Sequence, residues 1–498
     1  LRENAARSSD ISYVTGSCFF QTAAGTLYNE EENLVYAGGG HTVLQFEDQE
    51  TATAFARAVT EAAMRQFPGV ELFVKQMDYD EAKTPGENLK ELSAALERKK
   101  ALRQASFRRL SFGMEKDPGA AEPTGRLEQG LSVPENWRFP NKFEELAGED
   151  NFIAVVHADG NGMGKRVEKI YEKCGIWEDC RRTLRNFSEG IQSDFERAFR
   201  ETVETVIASG YAADQLPIRP VVLAGDDVCF VTAGNIGLEC ARVFLEKLSA
   251  MENCEQPGVP YAACAGVAIV HKKYPFHQAY DLAEELCSSA KRFGAEIDSE
   301  GRVSAMDWHI EFGQLKDGLS AQREDYLTDD GCRMELRPVT VLVPENVDQT
   351  KLEEMTAGVR TYDFFKAMQK AVRGEYGKVA RGKLKGLRTA IKQGQVATEF
   401  FLHDQQVLDL LYHGFTSKYR SEEERSREYQ KLRDGEGQLQ KELFTEVHGE
   451  KRCLFFDAVE MIDHFKALEQ VHTRLQLGIL PEHVFVGSLA VAGACDQF

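Results

Sequence analysis

The sequence predicts an α+β fold: two ferredoxin-like domains followed by a helical C-terminal domain. Three observations predict it. Residues 152–156 (Phe-Ile-Ala-Val-Val) form a continuous apolar run, as a central strand covered on both faces requires. From there to residue 309 the apolar pattern switches between strand and helix periods in the order β-α-β-β-α-β-α-β. A shorter version of the same alternation occupies residues 33–76.

Four segments follow from this pattern. In the first, 1–110, strands are expected at Asn33–Ala37 and His41–Phe46, around the turn Gly38-Gly39-Gly40. A helix is expected at Thr51–Gln66, a strand at Val70–Gln76, and a basic helix at Arg98–Arg109. The second segment, 111–150, holds Pro118, Pro123, Pro134 and Pro140 among glycines and acids, and reads as a linker or irregular insertion.

The third segment, 151–315, carries the chemistry. Its first strand ends at Asp159. A long amphipathic helix follows, with Ile191, Phe195, Ala198 and Val206 on one face. Strands Val221–Leu223 and Val228–Thr232 are joined by Ala224-Gly225-Asp226-Asp227. Then come a helix at Ile236–Leu248, a strand at Ala263–Val270, and a helix striped by Phe276, Tyr280, Ala283, Cys287, Ala290 and Phe293. A last strand runs near Val303–His309. The fourth segment, 340–498, reads as a mostly helical accessory domain with charged stretches such as Ser421–Arg433. It shows no solenoid repeat.

Acidic residues number 80 against 60 basic, a net charge of -20. Such a surface repels nucleic acid as a whole, and RNA would need a local basic groove. The balance suits an anionic substrate handled through bound cations. No apolar run reaches the roughly 18 residues that span a bilayer, and no secretory signal is seen, so a cytoplasmic protein without membrane partners is expected. Eleven cysteines include no CxxC pair; the nearest approach is Cys174 with Cys180. That argues against a zinc ribbon and for reduced, buried thiols.

In a β-α-β-β-α-β core, strands 1 and 3 are neighbours at the sheet centre. Asp159 leaves strand 1, and Asp226 and Asp227 sit in the hairpin between strands 2 and 3. Three carboxylates therefore meet at one sheet edge and repel unless neutralised. Mg2+ or Mn2+ can neutralise them while leaving room for triphosphate oxygens. The turn Gly160-Asn161-Gly162-Met163-Gly164-Lys165 opens a helix and can present backbone N–H groups to phosphate. It is neither a Walker A motif nor a GxGxxG fingerprint. Lys291 and Arg292, expected in the last turn of the striped helix, read either as a triphosphate clamp or as cations favoured by the helix dipole. Asp226-Asp227 also reads as a plain hairpin turn, but the matching strand end at Asp159 favours the metal.

These motifs resemble the large polymerase-like subunit of type III CRISPR effector complexes, whose two palm domains include one with a Gly-Gly-Asp-Asp hairpin. Here that hairpin reads Ala224-Gly225-Asp226-Asp227, and the first-strand motif reads Ala158-Asp159-Gly160-Asn161-Gly162-Met163-Gly164-Lys165. The segments His271–Phe276 and Ala283–Lys291 also resemble the family, and Tyr36–His41 resembles the hairpin of the first, non-catalytic palm. The likeness spans roughly residues 30–310. It implies two palms and a nucleotidyl cyclase that turns ATP into cyclic oligoadenylate in antiviral defence. Asp159, Asp226, Asp227 and the Gly160 carbonyl would hold metal. Asn161–Lys165, Gly225, Lys291 and Arg292 would hold ATP, with a second nucleotide against Gly39 and His41. Other effector subunits, guide and target RNA, or a second copy in a homodimer, are the implied partners.

The chain departs from the family at three points. Ala224 replaces a glycine, and neither the cysteine-rich zinc element between the palms nor an N-terminal HD nuclease motif is read in the residues from Leu1 onward. The His403-Asp404 dipeptide has no partner motif. The departures suggest a reduced or standalone relative. The basic runs Arg98–Arg109 and Lys378–Lys392 lack interleaved aromatics and read as solvated helix faces. Trp137, Trp177 and Trp308 read as packing residues, and His157 and His309 as structural. A competing expectation is a scaffold subunit that holds nucleotide or RNA without turnover. A GTP-using enzyme like a diguanylate cyclase fits the paired palms less well.

Overall fold

The computed structural model describes residues 10–67, 70–101, 137–147, 150–211, 215–251, 259–313, 318–373, 380–405, 407 and 443–468. The N-terminal part contains α1 (Ser17–Ala24), β1 (Leu34–Gly38), β2 (His41–Leu44), α2 (Gln49–Gln66) and α3 (Pro85–Ala101). β1 and β2 pair antiparallel, with Gly38 opposite His41. The two turn residues, Gly39 and Gly40, have φ of 58° and 71°. Two consecutive positive φ values are what a tight I′ hairpin needs, and glycine supplies them without strain. Asp48 caps α2 by accepting the Thr51 N–H at 2.7 Å.

The strand expected at Val70–Gln76 does not form. Residues 70–80 are irregular, and this sheet has two strands. Val70 and Leu72 instead pack as side chains against the aromatic cluster of Phe19, Phe20, Tyr28 and Phe55. The Val74 carbonyl accepts from Lys99 Nζ at 2.6 Å, where a ladder would have offered an N–H.

The palm-like part contains β3 (Phe152–Gly160), α4 (Met163–Lys173), α5 (Trp177–Ala208), β4 (Ile218–Ala224), β5 (Asp227–Ala233), α6 (Gly237–Ser249), β6 (Ala263–His271), α7 (Phe276–Ile297) and β7 (Ser304–Glu311). The element order is the one the apolar pattern predicts, except that two helices, α4 and α5, stand where one was expected. One sheet runs β4-β5-β3-β6-β7-β8, with β8 at Val339–Leu342. β3 is antiparallel to both neighbours, and α7 carries the chain over to β7, parallel to β6. The alternation along β3 feeds two layers. Ala154, Val156 and Ala158 face Phe195, Phe199 and Phe244 of α5 and α6, whereas Ile153 and Val155 join Ala279, Ala283 and Leu286 of α7. At Gly266 of β6 the helix lies directly on the strand. A Cβ there would stand 2.0 Å from the Ala283 carbonyl oxygen and 2.3 Å from the Cys287 nitrogen.

The fourth segment is mostly helical, as expected, with short strands added. It supplies the edge strand β8 and the hairpin of β9 (Phe444–Val447) and β10 (Glu450–Cys453), besides α8 (Gln349–Thr356), α9 (Tyr362–Arg373), α10 (Arg381–Lys392) and α11 (Gln395–Asp404). It is tied to β7 by a buried ionic knot. Arg337 Nη1 lies 2.7 Å from Glu460 and 3.2 Å from Asp457, and its guanidinium stacks over Trp308 and Tyr326 at 5.3 and 5.1 Å. His309 belongs to this knot, 3.4 Å from the Tyr326 hydroxyl, so its role is structural, as expected. The charged stretch Ser421–Arg433 and most of the proline-rich segment lie outside the described residues. The end of that segment packs rather than linking: Arg219 donates to the Pro140 carbonyl at 2.6 Å, and Leu146 and Ala147 are buried.

Cys174 and Cys180 form a disulfide, which corrects the expectation of reduced thiols at this pair. The short connection between α4 and α5 brings their Cα atoms to 5.1 Å. Among the described residues, no helix is long and apolar enough to cross a membrane.

Two substitutions test this packing. Gly266→Ala should cost about 2–3 kcal/mol by pushing α7 off the sheet, read as a lower denaturant midpoint. Glu460→Gln, which leaves the buried Arg337 charge undercompensated, should cost roughly 3 kcal/mol in the same assay.

Candidate active site

β3 ends at Asp159 and Gly160. In the sheet register Asp159 stands opposite Asp227 on one side and Cys264 on the other. The β4–β5 hairpin closes between Ala224 and Asp227, with Gly225 at φ 66°. The Gly160 N–H donates to the Asp226 carbonyl at 3.3 Å, pinning the turn to the end of β3. Gly160 keeps this turn compact: a Cβ would stand 2.6 Å from the Met163 methyl and 3.1 Å from Asp226 Cβ, so Met163 would have to shift. From α5, Gln192 grips the turn on both sides. Its Oε1 accepts the Gly225 N–H at 2.5 Å, and its Nε2 donates to the Leu223 carbonyl at 3.3 Å.

Asp159, Asp226 and Asp227 lie at one edge of the sheet, and burial and mutual charge both show in their proton affinities. Burial, then the charge of Asp159, pushes Asp226 up to about 6. Burial and then Asp159, with Asp226 and Glu284 adding to it, pushes Asp227 up to about 7. Asp227 Oδ1 is buried and accepts no hydrogen bond. His157 Nδ1, itself unsatisfied, lies 3.6 Å from it. Burial holds the imidazole below its usual pKa, so it brings Asp227 little positive charge. Tyr280 stands edge-on to His157 at 5.6 Å, its hydroxyl pushed up by burial and then by Asp227.

The positive charge at this edge comes from Lys291. Its Nζ lies 2.6 Å from Asp159 Oδ2 and donates to the Gly160 carbonyl at 3.0 Å. Burial works against this ammonium, but Asp159 outweighs it and holds the pKa above the ordinary lysine value. α7 continues to Ile297, so Lys291 and Arg292 are not in its last turn, and the dipole of the helix end does not account for them. Arg292 is exposed.

The turn after β3 is already partly occupied. The Asn161 N–H donates to Ala262 at 2.9 Å and its side chain to Val303 at 2.9 Å. Gly162, at φ 70°, is the N-cap of α4, and Met163, Gly164 and Lys165 form its first turn. Lys165 reaches away to the Ser299 carbonyl at 3.0 Å. The first-turn N–H groups of α4 have no partners within the helix. The N-terminal hairpin meets the acidic one turn against turn. A Cβ on Gly225 would stand 3.5 Å from the Gly39 nitrogen, and one on Gly39 3.9 Å from the Ala224 carbonyl. His41 is half-buried behind this contact, edge-on to Tyr36 at 6.1 Å. Burial and then Asp226 push the Tyr36 hydroxyl up to about 12.

Sequence reasoning missed Gln192, Tyr36, Tyr280 and Glu284 as parts of the site, and assigned His157 a structural role. Gln192 was findable as a polar residue beside the buried stripe of α5.

Crowded hard-oxygen donors and a buried, unpaired carboxylate oxygen fit a divalent cation. Among the described residues, however, no three Asp, Glu, His or Cys side chains converge closely enough to hold one in this arrangement.

Residues 152–297, from β3 to the end of α7, match the family model of the Cas10/Cmr2 second palm domain. This segment is Cas10-like. The chain's fold matches a Csm1–Csm4 cassette in complex with pppApApA, at a TM-score of 0.50 and 15% identity over 93% of this chain and 66% of that one. It also matches such a cassette in complex with one ATP, at 0.50 and 12% identity over the same shares. Csm1 from T. onnurineus matches at 0.47 and 13% identity, covering 93% and 66%. The chain spans about 66% of the length of each of these solved chains. No curated protein sequence matches it.

Gln192→Ala should free the acidic turn of this Cas10-like palm at a global cost of only about 1 kcal/mol. Amide hydrogen exchange at Gly225 should then speed up by roughly tenfold. Unchanged exchange at Gly225 would remove Gln192 from the site.

Proposed function

We propose that the chain is a metal-dependent nucleotidyltransferase that converts ATP, or another nucleoside triphosphate, into a cyclic oligonucleotide second messenger in CRISPR-type antiviral defence. The observation that carries this reading is the cross-strand pairing of Asp159 with Asp227, beside Asp226, at the open edge of a Cas10-like palm. Asp159, Asp226, Asp227 and the Gly160 carbonyl would hold Mg2+ or Mn2+. When bound, such ions lower the pKa of an attacking ribose hydroxyl and offset the charge of departing pyrophosphate.

The chain's own residues supply the rest. The N–H groups opening α4 at Met163, Gly164 and Lys165 face the triphosphate, with Lys291 and Arg292 as its counter-charges. The Gly38–His41 turn, flanked by Tyr36, borders the place of the second nucleotide and orients its hydroxyl toward the α-phosphorus. The new phosphodiester bond forms as the bond to pyrophosphate breaks, and the hydroxyl proton leaves to solvent.

The protein acts in the cytoplasm, within a type III effector with other subunits, guide and target RNA, or alone as a homodimer. The effector arrangement is supported by the Csm1–Csm4 cassettes that share its fold. The four-part division into first palm, insertion, second palm and accessory domain belongs to the same reading.

A second reading, a scaffold subunit that holds nucleotide without turnover, is favoured by the lysine on Asp159. The two are separated by mass spectrometry of products from all four nucleoside triphosphates with Mg2+ or Mn2+. The unsubstituted protein should release a cyclic product. The Asp226→Ala/Asp227→Ala protein should release at least about a thousandfold less, the scale expected for losing charge stabilisation in the transition state. No product, with and without added RNA, would leave the scaffold reading.

A further inference from the structure

Lys291 does more here than approach an anion. Its ammonium contacts both Asp159 Oδ2 and the Gly160 carbonyl oxygen, at 2.6 and 3.0 Å. These are two of the four groups assigned above to the metal. A divalent ion held at about 2.0–2.6 Å by these oxygens would stand beside the ammonium, so the two cations oppose each other's binding. The lysine rises from a helix pressed onto the sheet through Gly266, so α7 cannot retreat to make room. Only the four-carbon side chain can move. Leaving Asp159 for water alone would strand a partly buried cation, because the Lys291 side chain is 31% exposed. Leaving it for a triphosphate would not, since that ligand offers new oxygens a short swing away.

We infer that Lys291 is a tethered cation that competes with the metal for Asp159 and Gly160 and gives way when a nucleoside triphosphate arrives. The inference rests on the metal-dependent reading of the site. It makes metal binding weak in the nucleotide-free protein and strong in its presence. By linkage, metal and triphosphate then favour each other's binding by the same factor. The lysine thereby keeps the carboxylates apart from free metal until there is substrate to act on.

The test uses the full chain and reads binding rather than turnover. Mn2+ is titrated without nucleotide, and free Mn2+ is followed by electron paramagnetic resonance. Lys291→Met keeps most of the side-chain stem and removes the charge. It should bind Mn2+ on the order of tenfold more tightly than the unsubstituted protein, the scale of one ion pair lost as a competitor. Lys291→Arg should stay close to the unsubstituted protein. Adding Asp159→Asn to Lys291→Met should abolish the gain. A second measurement needs no substitution. Saturating Mn2+ without nucleotide should speed acetylation of Lys291 by acetic anhydride several-fold, read by peptide mass spectrometry.

Mn2+ affinity that depends on Asp159 but is equal in Lys291→Met and the unsubstituted protein would overturn the competition alone. So would an acetylation rate indifferent to Mn2+. Absence of any Asp159-dependent Mn2+ binding, with or without ATP, would overturn the metal-dependent reading and the inference with it.

Discussion

Three carboxylates share the open end of β3, and the surrounding structure is organised around their repulsion. Asp159 and Asp227 are fixed as cross-strand partners by a register that runs the length of β3. They cannot separate without breaking the central ladder of the sheet. Asp226 is held by its own turn, which the Gly160 N–H and Gln192 secure from two directions. The backbone thus imposes a charge density that the side chains resist, and the proton affinities of Asp226 and Asp227, raised first by burial and then by Asp159, record it in part. A site of this kind is prepared for a cation by the cost of leaving it without one. Lys291 meets part of that need and contacts only Asp159 among the three aspartates in doing so.

The stiffness that keeps the carboxylates together comes from the two layers on either side of β3. α5 and α6 press on one face and α7 on the other, so the strand carrying Asp159 has no room to slide. The closest approaches are made by glycines. Gly266 brings α7 onto the sheet, and Gly160 lets the acidic turn close over Met163. On the far edge, β8 extends the sheet, and the Arg337 knot binds the C-terminal elements to β7. That knot is costly to assemble, because its charges are buried and several of its polar atoms go unsatisfied. The same feature makes it a specific join, since few other arrangements would satisfy Arg337, Glu460 and Asp457 together.

Much of this was legible in the sequence, for reasons that can be named. The apolar run at 152–156, the stripe on α7 and the order of strand and helix periods placed the central sheet, because a strand buried on two faces leaves a plain signature. The acidic cluster was legible for a topological reason: in this order of elements, the end of strand 1 and the hairpin before strand 3 must meet. The failures were of a different kind. Val70–Gln76 has strand-like composition, yet its side chains pack against helices while its backbone pairs with no strand. β8 is only four residues long, and its place in the sheet depends on a neighbour supplied by α7 and β7. Lys291 was expected near phosphate, but its partner could not be read from spacing, because Asp159 lies far away in the chain and meets it only across the sheet. Gln192 showed only as a polar residue beside the buried stripe of α5; its part comes from facing the turn that Gly225 opens.

The position of Lys291 also bears on how the chain is made. During synthesis the aspartates emerge first, at 159, 226 and 227, and the lysine follows some sixty residues later on α7. Until then β3 gains β5 and then β6 as partners, yet the paired carboxylates have no built-in counter-charge. The sheet centre therefore closes under electrostatic opposition that lifts only when α7 lays its lysine across the strand end. Completion of the acidic edge and completion of the two-layered core become one late event, a checkpoint written into the order of the chain.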